Sequence, residues 1–130
     1  MKSLLYGGNS ATQTIPINGV INLGTVNRRY GNNINLIGGN VVVSGVGHYF
    51  GMANFVIDGT ASGNVVITMY DNGVPIPNAN ATKSVTDGVI DGMVVPFAIY
   101  DKCCADHTIT AVVTGIGVDV TNVGVLVVKD

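Results

Sequence analysis

The chain lacks glutamate and tryptophan and carries little charge of either sign. Charged residues make up 11% of the 130 residues, and the formal net charge is -2. This balance provides no basic surface that would attract the phosphates of a nucleic acid or the headgroups of an anionic membrane. Without glutamate, the carboxylate pair of a glycosidase would have to consist of two aspartates. Nucleic-acid and membrane partners are therefore not expected.

Long hydrophobic runs are also missing. No stretch approaches the ~18 apolar residues of a membrane-spanning helix, and the apolar run at residues 4–6 is too short for a secretory signal peptide. The mean hydropathy is nevertheless +0.44. Because a chain without a membrane span must cover its apolar surface in another way, we expect a homo-oligomer whose interface covers it.

The residues that are abundant indicate an all-β fold. Val and Ile are far more frequent than in ordinary proteins, and both favour pleated, half-buried surfaces. Eighteen glycines and many asparagines separate short alternating segments, as frequent turns require. This pattern predicts a single antiparallel β-sandwich over residues 15–130, with eight to ten strands and no helix of useful length.

Three segments are predicted to reverse the chain between strands. Residues 38–40 (Gly-Gly-Asn) and 71–73 (Asp-Asn-Gly) are rich in residues that tolerate positive φ. Residues 58–63 are expected to form a hairpin-like loop.

Residues 1–14 are predicted to be either an N-terminal arm or an edge strand of the sandwich.

Five stretches together carry a resemblance to a known group of proteins. They are INLGTVNRRYG at 21–31, VSGVGHYFGMANFVI at 43–57, NVVITMYDNGVPIPNANAT at 64–82, the cysteine-containing hairpin followed by TITAVVTG at 108–115, and NVGVLVVKD at 122–130. The chain resembles small jelly-roll proteins of the tumour-necrosis-factor (TNF)/C1q-like type from phages and prophages of gut Firmicutes. These proteins are related to the C-terminal head of spore-coat collagen-like proteins.

This resemblance implies a TNF-like jelly roll that forms a tight homotrimer, with one sheet packed around the threefold axis. It implies a structural or adhesive role rather than an enzyme. The expected location is the surface of a phage particle assembled in the host cytoplasm, as a capsid decoration or head-fibre subunit that contacts a capsid or other virion protein. The chain has no Gly-X-Y stalk, which favours a compact module docked directly on a shell. The alternative is an extracellular or tail-associated, adhesin-like module that recognises a host-surface glycan or protein.

Two segments are candidate interface regions. In the docking interpretation, the N-terminal arm would contact the shell through Leu4, Leu5 and Tyr6; otherwise these residues belong to an edge strand. The basic pair Arg28 and Arg29, followed by Tyr30, is the second candidate, because arginine and tyrosine are enriched at interfaces. In an extended strand the two arginines point to opposite faces, so one can reach an interface while the other is solvated.

The heptapeptide DKCCADH at residues 101–107 contains both cysteines and one of the two histidines. A structural zinc site would need a second pair of ligands, but there is no second cysteine pair and His48 is the only other imidazole in the chain. The Cys-x-x-Cys redox motif is absent. Cys103 and Cys104 are therefore predicted to be small buried thiols at a strand end, with a disulfide or a thiol cluster across a trimer as the alternative.

No catalytic, cofactor or metal site is expected. The nucleophile motif Gly-x-Ser-x-Gly does not occur, and the aspartates lie mostly beside glycine or asparagine, where turn formation explains them. The segment at residues 86–92, TDGVIDG, offers two aspartates to a cation but lacks the bidentate glutamate of an EF-hand loop. Paired turns are the simpler interpretation of that segment. The chain is accordingly predicted not to be an enzyme.

Overall fold

The structure is a computed structural model in which residues 2–102 and 105–130 are described. Twelve strands occur in these two ranges: β1 Ser3–Asn9, β2 Gln13–Ile15, β3 Val20–Ile21, β4 Thr25–Tyr30, β5 Ile34–Ile37, β6 Asn40–Val43, β7 Gly47–Gly59, β8 Gly63–Asp71, β9 Val74–Val85, β10 Ile90–Asp101, β11 His107–Gly115 and β12 Val118–Lys129. The described residues contain no helix that is long and apolar enough to cross a membrane.

The strands form two antiparallel sheets of six strands each. Sheet A has the order β10-β7-β12-β1-β4, and β2 also pairs with β12. Sheet B has the order β5-β6-β11-β8-β9, and β3 also pairs with β11. The inward faces of the two sheets share one apolar core, so the predicted all-β sandwich is confirmed. The number of strands exceeds the predicted eight to ten, and two of them, β2 and β3, have only three and two residues.

The pleat of each strand explains the alternation in the sequence. In β12, Val118 and Val120 point into the core, and so do Val123, Val125 and Val127. The alternation changes phase between the two groups because the pairing of β12 with β7 shifts register between Val120 and Asn122. A β-bulge of this kind adds one residue and returns the following side chains to the correct face.

Two of the predicted turns are confirmed. The β5–β6 hairpin turns at Gly38 and Gly39, where both φ angles are positive. The β8–β9 hairpin turns at Asn72 (φ 49°) and Gly73 (φ 82°). Positive φ at two consecutive central residues is the requirement of a tight hairpin turn, which explains why Asn-Gly occurs there.

The predictions for residues 58–63 and for the N-terminal segment are wrong. Residues 58–63 do not join a hairpin, because β7 lies in sheet A and β8 in sheet B, so the chain crosses between sheets there.

Residues 3–9 are neither an arm nor an edge strand. They form β1, which lies between β12 and β4 and pairs with both. The short apolar run at residues 4–6 therefore lies on a strand that has a neighbouring strand on each side.

Gly51 makes room for an aromatic ring in the core. It lies opposite Phe97 on the neighbouring strand, and both residues are on the inward face of sheet A. A Cβ atom at Gly51 would lie only 2.6 Å from Cε1 of the Phe97 ring. The glycine therefore sets the volume that this part of the core can hold.

Gly51→Ala is expected to lower the free energy of unfolding by about 1–3 kcal/mol, because the added methyl group must displace the Phe97 ring. Urea denaturation followed by circular dichroism measures this change. Gly92→Ala is the matched control, because a Cβ there meets nothing closer than the Phe55 carbonyl at 4.0 Å. Equal stability of the two variants would contradict this description of the core.

Candidate interaction surface

The outward face of sheet A carries two continuous rows of mostly apolar side chains. Residues directly opposite one another on adjacent antiparallel strands share a face, so the register defines each row across five strands. The first row is Tyr30, Leu4, Val128, Phe50 and Ala98, and the second is Arg28, Tyr6, Leu126, Met52 and Pro96. We call these ten residues the apolar rows.

The apolar rows are open to solvent in the isolated chain. Phe50, Met52 and Tyr6 are 52%, 51% and 52% exposed. Between them lies a shallow cleft of about 200 Å³ whose lining is almost wholly apolar, formed by Phe50, Gly51, Met52, Leu126 and Val128. Single exposed apolar side chains are ordinary, but a contiguous patch indicates an interaction site.

Less apolar positions border the apolar rows on both sides. Beyond the first row, His48 and Tyr100 stack with their ring centroids 4.4 Å apart. Beyond the second row, Asn54 lies opposite Gly124 on β12 and Val94 on β10. Each border thus places a polar side chain, His48 or Asn54, beside an apolar one, whereas the polar rim of a protein interface surrounds an apolar centre.

The outward face of sheet B has a different character. On β11, β8 and β9 its exposed and half-exposed positions are mainly hydroxyl and amide side chains, with a few valines between them: Thr108, Thr110, Val112 and Thr114 on β11, Val66, Thr68 and Tyr70 on β8, and Asn80, Thr82 and Ser84 on β9. Two further valines, Val20 on β3 and Val42 on β6, lie opposite Val112 and Thr108. Such a face is compatible with water without a partner. Sheet A, which exposes the larger apolar side chains Phe50, Met52 and Leu126, therefore has the greater need for a covering partner.

The outward face of sheet A is large enough to form a stable contact. Strands about 4.8 Å apart and same-face residues about 6.8 Å apart place five strands and four rows on an area of about 24 Å by 27 Å. The resulting area of about 650 Å² approaches the ~800 Å² that each partner contributes to a standard interface.

Four of the six predicted interface residues belong to the apolar rows. Leu4 lies opposite Tyr30, and Tyr6 lies opposite Arg28, so the pleat places all four on the outward face of sheet A. The sequence placed them in two separate candidate regions, and the pairing of β1 with β4 brings these together. That they contact a partner remains a prediction.

The other two predicted residues, Leu5 and Arg29, lie opposite each other but not on this face. Leu5 is completely buried in the core, so the prediction that it contacts a partner is corrected. The cause is the internal position of β1, which turns alternate side chains inward. Arg29 is exposed because β4 is the outermost strand of sheet A.

In the described part of the heptapeptide, the His107 ring contacts two carboxylates. His107 Nδ1 lies 2.8 Å and 2.9 Å from the two carboxylate oxygens of Asp71, and its Nε2 lies 3.5 Å from Asp101 Oδ1. Turn formation alone therefore does not account for Asp71. The predictions for Cys103 and Cys104 concern residues outside the described ranges.

Among residues 2–102 and 105–130, no three His, Cys, Asp or Glu side chains are arranged to hold a metal ion. In the segment that offered a calcium alternative, Asp91 accepts a hydrogen bond from the Gly92 N–H (2.8 Å) and forms a 3.3 Å ion pair with Lys83. The Gly92 hydrogen bond, together with Lys83, lowers the pKa of the Asp91 carboxyl. Local contacts thus account for this aspartate.

A polar network closes the same end of the sandwich as His107. The buried Tyr49 hydroxyl donates to the carbonyl oxygens of Ser44 (3.1 Å) and Gly45 (2.8 Å). Asn33 donates to the Ser44 carbonyl and accepts a hydrogen bond from the buried Ser3 hydroxyl. Burial, and then the negative charge of Asp101, raise the pKa of Tyr49. Its hydroxyl acts here as a structural donor.

Comparison with solved structures shows the fold. Eiger TNF from S. frugiperda superposes with a TM-score of 0.73 at 9% identity, covering 100% of this chain and 92% of that chain. The globular domain of zebrafish complement 1qA protein gives 0.67 at 7% identity, covering 96% and 94%. Murine APRIL gives 0.62 at 13% identity, covering 100% of both chains.

These similarities establish a TNF/C1q-like jelly roll, in agreement with the fold that the sequence resemblance implied. Because the identities are so low, they show the fold alone. No protein-family model matches the chain, and no curated protein sequence matches it. The function must therefore be argued from the surfaces of this chain.

Tyr49→Phe is expected to lower the free energy of unfolding by about 1–2 kcal/mol, because it removes the donor shared by two carbonyl oxygens in a buried position. Thermal or urea denaturation measures the change. Tyr70→Phe is the control, because no hydrogen bond of the Tyr70 hydroxyl occurs among the described residues. A Tyr49→Phe variant as stable as the wild type would contradict the proposed role of the hydroxyl.

Proposed function

We propose that this protein is a non-enzymatic structural module that assembles into a homotrimer through the outward face of sheet A. The observation that carries this proposal is the pair of apolar rows, which are contiguous, exposed and confined to one of the two sheets. Burying apolar surface of this kind contributes roughly 25 cal/mol per Å². Copies of the same chain are always available to bury it.

A threefold arrangement is favoured over other closed assemblies by the resemblance found in the sequence, which implies one sheet packed around a threefold axis. Sheet A is the sheet with an apolar outward face and therefore fits that position. The hydroxyl-rich face of sheet B would then remain on the outside of the trimer. In this orientation the apolar face of sheet A lies inside the trimer and the more polar face of sheet B is in contact with solvent, while each chain keeps the fold described above.

We further propose that the trimer belongs to the surface of a phage particle, as a capsid decoration or head-fibre subunit assembled in the host cytoplasm. Support comes from the five stretches that resemble phage and prophage jelly-roll proteins. The mechanism is burial: a sandwich core and a shared apolar seam form a compact particle that needs no cofactor. Its exposed surface would contact a capsid or other virion protein.

The oligomeric state tests the first part of this proposal. Light scattering should give a mass three times that of the 13.4 kDa chain. Met52→Lys should give a folded monomer, because it places a charge in the centre of the apolar rows, where desolvation is costly. Thr82→Lys, on the outward face of sheet B, is the matched control and should remain trimeric.

A wild-type protein that is monomeric at micromolar concentration would contradict the trimer, and so would a Met52→Lys variant with the wild-type mass. Circular dichroism of each variant separates loss of assembly from loss of fold. The two lysine variants add the same charge, so any difference between them reports position alone.

Electron microscopy tests the location. Antibodies against the purified protein should label the outside of phage particles produced by a host that carries the gene. The control is antibody that has first been absorbed with the trimer. Particles that are never labelled, and whose protein content lacks the chain, would overturn the virion assignment while leaving the trimer intact.

A second candidate function, recognition of a host-surface glycan, is favoured by a different feature. A polar cleft of about 270 Å³ beside the apolar rows contains the exposed amides of Asn27, Asn54 and Asn122. Gly8 and Gly124 line the cleft beside them. Neutral amides beside the Tyr6 ring suit the hydroxyl groups and apolar faces of an uncharged sugar.

The two candidates predict opposite behaviour at Asn54. If the cleft binds sugar, an array of neutral glycans should give dose-dependent binding that Asn54→Ala abolishes without changing the mass in solution. If the trimer covers this part of sheet A, wild type and variant should both fail to bind any glycan. Glycan binding that Asn54→Ala leaves unchanged would exclude the cleft as the site.

A further inference from the structure

The two ends of the DKCCADH segment lie on different sheets. Asp101 is the last residue of β10 in sheet A, and His107 is the first residue of β11 in sheet B. Between them runs the connection at residues 102–106. A contact between Asp101 and His107 therefore joins the two sheets at the point where the chain passes from one to the other.

The two nitrogens of the His107 ring face carboxylates on different sheets. Nδ1 lies 2.8 Å and 2.9 Å from the oxygens of Asp71, which is on β8, a direct neighbour of β11 in sheet B. Nε2 lies 3.5 Å from Asp101 Oδ1, and Asp101 is only 1% exposed. One contact is thus internal to sheet B, and the other crosses the sandwich.

The number of protons on the ring decides which contacts can be favourable. A neutral imidazole has one N–H group and one nitrogen lone pair, whereas an imidazolium has two N–H groups. Because Nδ1 faces two carboxylate oxygens at hydrogen-bonding distance, the hydrogen of a neutral ring belongs there. The Nε2 lone pair would then face the Asp101 carboxylate, which is repulsive.

We propose that protonated His107 is a clasp between the two sheets, and that loss of its Nε2 proton to solvent releases the contact with Asp101 while the contact with Asp71 is kept. Only the contact that crosses the sandwich depends on the proton. The expected consequence is local opening of the sheet ends that flank residues 102–106, with the rest of the sandwich unchanged.

The surroundings of the ring favour the protonated form. Partial burial of His107 lowers its pKa, but the hydrogen bond and charge of Asp71, together with those of Asp101, outweigh burial and raise the pKa above 6.5. Behind Asp101, Tyr49 on β7 is buried, and its pKa responds to the Asp101 charge. Lys129 on β12 is also buried and packs over Gly47, the register partner of Asp101.

Among residues 2–102 and 105–130, the other charged groups next to His107 in the chain are solvated. Lys102 and Asp106 flank the described ends of the connection, and both are exposed. Asn72 binds the Asp106 backbone carbonyl and the Thr108 backbone N–H with its amide, so it presents no charge to the ring. The proton on His107 is therefore controlled mainly by the two aspartates.

The direction of the pH effect follows from the raised pKa. The clasp contributes its full stabilisation below the unfolded-state pKa of about 6.5, and the contribution is lost as the pH rises through the higher folded-state pKa. The contact is thus lost on the alkaline side of the His107 titration.

Nuclear magnetic resonance tests the clasp in the full chain. In a His48→Gln variant the only imidazole signal comes from His107, because the chain has two histidines. We expect this signal to titrate with a midpoint above 6.5. Above the midpoint, the protection of amides at the end of β10 and the start of β11 should fall. The fall should be about tenfold in total for each unit by which this midpoint exceeds that of an Asp101→Asn variant, in which only the Asp71 contact remains. Protection is measured relative to intrinsic exchange, and the Val125 amide in the centre of sheet A should not change.

A His107→Gln variant provides the second arm. Its amide protection at the two strand ends should be reduced at about pH 6 and should stay constant up to about pH 9, because no imidazole titrates. If that variant does not fold, the His107 titration and the amide hydrogen exchange of the His48→Gln protein still test the clasp. A midpoint at or below 6.5, or strand ends whose protection ignores the His107 titration, would overturn the clasp.

Discussion

Sheet A is apolar on both faces, and sheet B covers only one of them. A β-strand with the usual alternation buries one face and exposes polar groups on the other. In β7 and β12, however, the outward positions include Phe50, Met52, Leu126 and Val128 as well. The proposed assembly, and with it the proposed function, depends on the free energy gained when this second face is buried.

The scarcity of charge on the outward face of sheet A fits the proposed assembly. A surface that is to be buried between copies cannot carry many unpaired charges, because desolvating them costs more than the contact returns. In the apolar rows, the one charged residue is Arg28, which lies on the outermost strand, β4, where its guanidinium can remain at the rim. Several of the remaining polar and charged groups meet at one end of the sandwich, where Tyr49, Asp101 and His107 lie close together.

The sequence predicted the sandwich well because alternation and turn chemistry are local signals. Asn72 and Gly73 identified a hairpin, and Leu4, Tyr6, Arg28 and Tyr30 were selected from short segments that the fold then placed side by side. The face of Leu5 depends on β1 being an internal strand, which only the pairing of distant strands decides.

The chemistry of DKCCADH could not be read from the sequence for a similar reason. Its histidine binds Asp71, which is 36 residues away and looks like an ordinary turn residue. No local spacing connects the two. The sequence contains only a weak signal for this contact. His107 begins one strand, and Asp71 ends another just before an Asn-Gly turn. A prediction that these two strands pair would have indicated that the two side chains are close.

Oxidation of the native protein by dilute hydrogen peroxide tests most directly whether the second face of sheet A is covered. Met52 is 51% exposed in the isolated chain, whereas Met69 and Met93 are 0% and 4% exposed. If copies of the chain cover the apolar rows, Met52 should be oxidised as slowly as the two core methionines, as measured by mass spectrometry of peptides. Rapid oxidation of Met52 in the native protein, with Met69 and Met93 protected, would contradict the covered face.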